Sequence, residues 1–253
     1  EDLQLKANIG KSFRVHITKE FGANGVNYHY FSYEKGDPNL SPEVSYQIDL
    51  SGEWSGQRWS VQVSPFFNYF PNYIYLNPTP VHVVGPGAGN QLFQYSQSRV
   101  MRYGGELNLN YRINTSLSAS LLAEYLYAEQ LSGDKRGFSL PFSPPPSALF
   151  NLTWSPRSNN LFEAPYLSLD YRLTAPQHNI VPHEKKTDGY GLFNAQLGST
   201  VNLFGQECIA NVQIQNIFDR KYFNHTSFYR LIELPESGRN FVITIKLPFR
   251  IKS

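Results

Sequence analysis

One cysteine, Cys208, serves the whole 253-residue chain, which leaves no disulfide within it and no multi-cysteine metal centre. Long apolar runs are equally missing. No stretch approaches the roughly 18 consecutive apolar residues of a membrane helix, so any contact with lipid has to be made by strands. Charged residues are sparse, at 17% with a net charge of +2, and no Lys/Arg cluster forms the basic stripe expected of a nucleic-acid partner. Glu1 to Phe13 already reads as a strand, with no basic segment and apolar core before it; a signal peptide is expected to have been removed or to lie upstream. Catalytic motifs are absent too: there is no HExxH, no GxSxG and no carboxylate pair in a recognisable frame. The one glycine-rich run, Gly85 to Asn90, sits in a Pro-rich connection with no helix to receive a phosphate, and reads as a loop. The expectation is a protein that is not an enzyme and carries no cofactor.

Aromatic residues fill the space that charge leaves. They make up 15% of the chain, with 17 Tyr and 18 Phe, while mean hydropathy stays negative. Their order is period two. From Arg102 to Arg112 one face carries Arg102, Gly104, Glu106, Asn108 and Asn110, and the other Tyr103, Gly105, Leu107, Leu109 and Tyr111. Such a strand separates water from oil. The same alternation gives about ten strands near 3–13, 44–55, 58–70, 98–113, 116–130, 147–155, 161–175, 189–204, 207–217 and 239–249. Most reach the roughly 9 to 11 residues that a tilted strand needs to cross a bilayer. Glu106 and Glu124 are expected to face a watery lumen as solvated charge.

Tight turns near 55–57, 114–115, 157–160 and 205–206 alternate with long segments near 14–43, 77–97, 131–146, 176–188 and 218–238. Short and long connections in turn are the rhythm of an outer-membrane barrel, with the extended loops outside. A soluble β-sandwich explains single strands equally well, but not aromatic residues near strand ends or the systematic difference in turn length. The long loops hold an excess of rings, of which Tyr30, Tyr33, Tyr75, Phe93, Phe138 and Tyr229 are candidate substrate contacts, because flat side chains bury area with few rotors to freeze. His178 and His183, with Glu184 beside the latter, share one loop, and His82 and His225 lie in others. Imidazole is the commonest metal ligand, so His178 and His183 are candidate metal contacts, although their spacing matches no tight motif and a plain polar surface remains the alternative.

The end of the chain carries the most specific text. "NIFDRKY" at Asn216 to Tyr222, the Gly238-Arg239-Asn240 step, and a final strand with Phe241, Ile243, Ile245, Leu247 and Phe249 on one face resemble the C-terminal signature of the TonB-dependent outer-membrane receptors of Gram-negative bacteria. "KSFR", "EFGANGVNYHY", "YEKGDPNLSPE" and "PFSPPPSALFNLTW" extend the resemblance along nearly the whole chain. Gly238 is expected to supply positive φ where the last loop turns back, and Arg239 to meet a carboxylate or remain a solvated rim charge.

The resemblance implies an all-β fold: an antiparallel transmembrane β-barrel, of which residues 1–253 form about ten C-terminal strands out of twenty-two, the plug domain lying elsewhere. It implies residence in the bacterial outer membrane among its lipids, and active import of a scarce bulky nutrient such as a ferric siderophore, haem or other metal chelate. The partners it implies are the TonB energy complex, reached through the plug, and the barrel-assembly machinery, which reads a terminal aromatic at the place of Phe249. Here Arg250 to Ser253 follow that aromatic, a departure from the family pattern. A passive porin-type channel and a soluble binding module are the alternatives.

Overall fold

A strand whose two faces differ this sharply must lie between two unlike media, and the computed structural model, which describes residues 2–84, 90–203 and 206–248, arranges the strands accordingly. Ten of them form one antiparallel meander in the order β1 (Asp2–Arg14), β4 (Glu43–Ser55), β5 (Trp59–Val83), β6 (Asn90–Arg112), β7 (Leu117–Gln130), β8 (Ser147–Trp154), β9 (Phe162–Thr174), β10 (Tyr190–Leu203), β11 (Gln206–Gln215) and β12 (Asn240–Lys246). Two short strands complete the set: β2 (Asn24–Asn27) pairs with β3 (Ser32–Lys35), and β3 lies parallel to β6 from Ser32↔Gln91 to Lys35↔Gln94. A single helical turn, α1 (Thr18–Gly22), precedes them.

Register puts like with like. Outward, Trp59 pairs with Tyr111, Val61 with Leu109, Val63 with Leu107 and Phe67 with Tyr103. Inward, Gln62 meets Asn108, Ser64 meets Glu106 and Asn68 meets Arg102. Rings close both ends of the apolar band: Trp59 stacks on Tyr111 at 3.9 Å, and Tyr103 tilts against Tyr127 at 5.1 Å. The outer residues have no protein over them, with Ile9 at 80% and Ile243 at 70% exposure. A sandwich needs a second sheet, and among the described residues there is one sheet only. An apolar face of this extent needs another solvent, and hydrocarbon supplies it.

Several expected boundaries move. The strands expected at 58–70 and 98–113 continue through β5 and β6 as one long hairpin, so 77–97 is ladder rather than loop up to the tip. The prolines hid this: Pro71, Pro78 and Pro80 fall at or beside register shifts between Phe70 and Tyr73 and between Pro78 and His82, where a missing N–H is tolerated. The segment expected as the loop 14–43 likewise contains α1, β2 and β3. At the other end β12 stops at Lys246, short of the expected strand 239–249, and Phe249 lies outside the described residues, as do Arg250 to Ser253.

Above the wall, side chains form a core of their own. Phe70, Val100, Ala128 and Leu140 pack together, with Tyr73 and Tyr75 against them. A second cluster of Leu40, Ile74 and Tyr95 joins the first long connection to the hairpin. Both clusters sit where the long connections meet the strands.

Candidate ligand-capture cap

The return from β11 to β12 shows why two separate pieces of sequence belong together. Asn216 is 4% exposed and takes a left-handed φ of 50°; its side chain accepts the N–H of Arg220 at 2.8 Å and donates to the Arg220 carbonyl at 2.9 Å. That turn aims Asp219, whose Oδ1 accepts the backbone N–H of Arg239 at 2.8 Å. A Cβ at Gly238 would stand 2.5 Å from the same oxygen. A side chain at Gly238 would therefore push Asp219 off the Arg239 N–H, and the expected positive φ is not what Gly238 supplies; among the described residues Gly133 and Gly137 are the glycines with positive φ. Arg239 itself is exposed, and Asp219 holds its backbone, not its guanidinium.

Deeper in the cap, three ionisable side chains from two loops are almost fully buried. Glu184 Oε1 accepts from Arg230 Nη2 at 2.6 Å and from the Phe142 N–H at 2.7 Å, and His225 Nε2 lies 3.3 Å away. Side-chain exposures of 3% for Glu184, 3% for Arg230 and 1% for His225 place the group in low dielectric. Burial works to raise the Glu184 carboxyl, but contact with His225, the Phe142 N–H and Arg230 outweigh it and hold the group below the usual carboxylate range. Thr187 shares a hydrogen bond with His225 Nδ1 at 3.0 Å, and Arg230 also donates to the Lys185 carbonyl at 3.0 Å.

Phe142 is the junction. The Arg230 guanidinium lies 4.6 Å from its ring centre, Phe228 stacks on it at 4.4 Å, and Tyr30 stacks on Phe228 at 4.2 Å. Phe93 approaches from the hairpin at 6.2 Å. Lys135 adds a polar tie, donating to the carbonyls of Pro78 at 2.8 Å and Pro182 at 3.1 Å. On the first long connection Lys19 pairs with buried Glu34 at 2.7 Å, and Arg14 bridges Glu20 and Glu43. All five long connections are joined through these contacts.

The sequence-derived residues fall into three groups. Tyr30, Phe138 and Tyr229 are 41%, 43% and 49% exposed on the cap, and Tyr229 reaches Phe31 at 5.8 Å. Tyr33 and Tyr75 are partly buried and tied by their hydroxyls, Tyr33 to Asn24 at 3.0 Å and Tyr75 to Gln130 at 2.6 Å, while Phe93 is 1% exposed and packs the interior. His178 and His183 are exposed, and among the described residues no three His, Cys, Asp or Glu side chains gather as a metal group. The histidine that does meet Glu184 is His225. Arg230 and Lys135 went unread in the sequence; an arginine inside the apolar run "FYRLI" was the available signal.

A family model described as TonB dependent receptor-like, beta-barrel matches residues 1–217. The chain belongs to this family. Its barrels are outer-membrane proteins, and the apolar outer band described above agrees with that setting. Among solved structures, Copper transporter OprC superposes with a TM-score of 0.75 at 19% identity, over 96% of this chain and 38% of its own. The ferric yersiniabactin uptake receptor FyuA from Yersinia pestis gives 0.63 at 16% identity, over 99% and 35%. The siderophore receptor PirA from Pseudomonas aeruginosa gives 0.60 at 20%, over 97% and 39%. These likenesses speak for the fold, and this receptor barrel segment spans well under half the length of each.

Proposed function

We propose that residues 1–253 are the C-terminal segment of a longer outer-membrane receptor that binds a scarce bulky nutrient at its external loops and imports it actively. The cargo is a metal chelate, with a ferric siderophore or haem foremost. The observation that carries this reading is a wall polar inside and apolar outside, surmounted by a cap that leaves Tyr30, Phe138 and Tyr229 open to solvent. Exposed rings on an anchored platform suit the flat faces of catecholates and porphyrins. Solved neighbours named as transporters or receptors of copper, iron and siderophores support the cargo class. His178 and His183, both exposed, are proposed to assist metal capture. Energy comes from the TonB complex through a plug outside this chain, and the barrel-assembly machinery reads the terminal aromatic.

The deciding experiment deletes the receptor and tests growth on a panel of ferric siderophores, haem, copper and zinc sources, with uptake repeated after the proton-motive force is collapsed. Loss of growth on one iron chelate, with uptake that stops on collapse, is expected. No iron-dependent difference overturns the cargo, and uptake insensitive to collapse returns the reading to a passive porin.

A further inference from the structure

Beneath the cap, on the lumen side of the wall, an arginine stands without a charged partner. Arg102 lies inward on β6, between Asn68 of β5 and Ala128 of β7, and among the described residues no carboxylate comes within ion-pair distance of it. Its polar neighbour is the Tyr73 hydroxyl. Arg14, Lys19 and Arg230 of the cap, by contrast, each hold a carboxylate. A guanidinium carries five N–H donors in a planar fork that suits two adjacent anionic oxygens, and Tyr73 offers it only one oxygen. The fork at Arg102 is open to an anion.

Around it the walls are rings and aliphatic side chains. Arg102 borders a hollow of about 310 Å³, with Leu126 and Ala128 on the wall side, Tyr73 and Tyr75 from the hairpin, and Phe142 and Phe228 from the loops. Tyr75 is held by its hydroxyl on Gln130 at 2.6 Å, Tyr73 by an edge contact with Phe70 at 4.9 Å, and Phe142 by its stack on Phe228 at 4.4 Å. The rings are thus fixed before anything binds. Such a volume is at the low end for small-molecule sites, and it fits one ring with its linking arm rather than a porphyrin. Of the rings singled out in the sequence, Tyr75 is the one that reaches this hollow.

We propose that this hollow receives one anionic aromatic head of the cargo, a catecholate or a hydroxybenzoate, and that Arg102 is the residue that selects it. The ring packs among Tyr73, Tyr75, Phe142 and Phe228, which costs few rotors, and its oxygens take the open donors of the guanidinium in charge-assisted hydrogen bonds. The inference rests on the import reading above and narrows it. A neutral trihydroxamate brings no anion for Arg102, citrate brings no ring for the walls, and haem exceeds the space.

The test is isothermal titration of the whole detergent-solubilised receptor with four iron(III) probes, a tris-catecholate, a trihydroxamate, citrate and haem, repeated in the presence of metal-free 2,3-dihydroxybenzoate or 2-hydroxybenzoate. Binding of the tris-catecholate is expected, with competition from the free acids, the stronger competitor naming the head. Arg102→Gln is expected to weaken it about 10- to 100-fold through loss of hydrogen bonds to a charged group, and Arg102→Lys less, since the charge stays and the fork is lost. Leu126→Trp, which fills the hollow without touching the charge, is expected to weaken it as well. A heat-modifiable gel shift establishes that each variant is a folded barrel. Trihydroxamate or haem bound equally by the parent and by Arg102→Gln overturns the site and leaves the import reading standing. Citrate bound as tightly as the tris-catecholate overturns the aromatic class, and loss in Arg102→Gln with none in Leu126→Trp overturns the hollow as its place. A parent receptor that binds none of the probes overturns the inference, and the growth panel then decides the import reading by itself.

Discussion

Wall and cap are built by opposite means. In the wall, backbone ladders join each strand to the next from Lys6↔Ser51 to Gln213↔Val242, shifted locally as between Gly198 and Thr200, and the side chains need only be apolar on one side and polar on the other. In the cap the connections are tied by particular side chains: one carboxylate, one guanidinium and one imidazole, with four rings leading away from them. The wall is therefore tolerant within each face and intolerant between faces, whereas the cap is intolerant at a few atoms and tolerant everywhere else.

The largest expected effect strikes the cap. Arg230→Ala leaves the Glu184 carboxylate buried without its guanidinium partner, at a cost of about 3–5 kcal/mol. Hydrogen exchange in the whole receptor should show segments 138–143, 181–187 and 222–232 losing protection together, while β7 and β8 keep theirs. Protection changing at 222–232 alone would mean the loops are not one unit. Next comes the wall: Leu107→Arg, in the middle of the outer band between Val63 and Ala123, is expected to cost about 2–4 kcal/mol in bilayers, and Asn108→Arg on the lumen side close to none. Equal costs on urea unfolding in liposomes would refute the assignment of faces.

Acid should divide the two regions further. Because the Glu184 carboxyl is held below its ordinary value, its contribution is intact above pH about 4 and is lost as pH falls through the lowered value, where the unfolded cap takes up the proton more readily. The effect is smaller than that of Arg230→Ala, since the neutral acid keeps its position against the Phe142 N–H. Exchange at pH 3 against pH 6 should open the cap before the ladder. The smallest change is Tyr75→Phe, which removes one hydrogen bond to the fully buried Gln130 and is expected to cost about 1 kcal/mol at the base of the cap. A thermal midpoint indistinguishable from that of the parent receptor would show that Gln130 finds another donor.

The same contrast explains what could be read from residues alone. Tyr103 to Tyr111 declare their faces because the side-chain period of a strand is two, and a local pattern suffices to place them. The hairpin beyond Phe70 was unreadable because prolines there mark bulges and not ends, and only the ladder on both sides distinguishes the cases. In the cap, Phe142, Glu184 and Arg230 are separated by 42 and 46 positions in the chain, and no spacing rule connects residues brought together by loop closure. Gly238 was readable as a special position but not for the right reason, since its crowding comes from Asp219, 19 residues earlier.

Phe142 has a further consequence for how such a surface can change over generations. With its own connection, the long hairpin through Phe93 and the last connection through Phe228 and Arg230 fastened beneath the surface at one ring, exposed tips such as Tyr28 and Phe138 become exchangeable parts on a fixed mount. Replacing such a tip leaves the contacts among Phe142, Glu184 and Arg230 in place, so the chemistry shown to the surroundings can change without altering how the cap is held together.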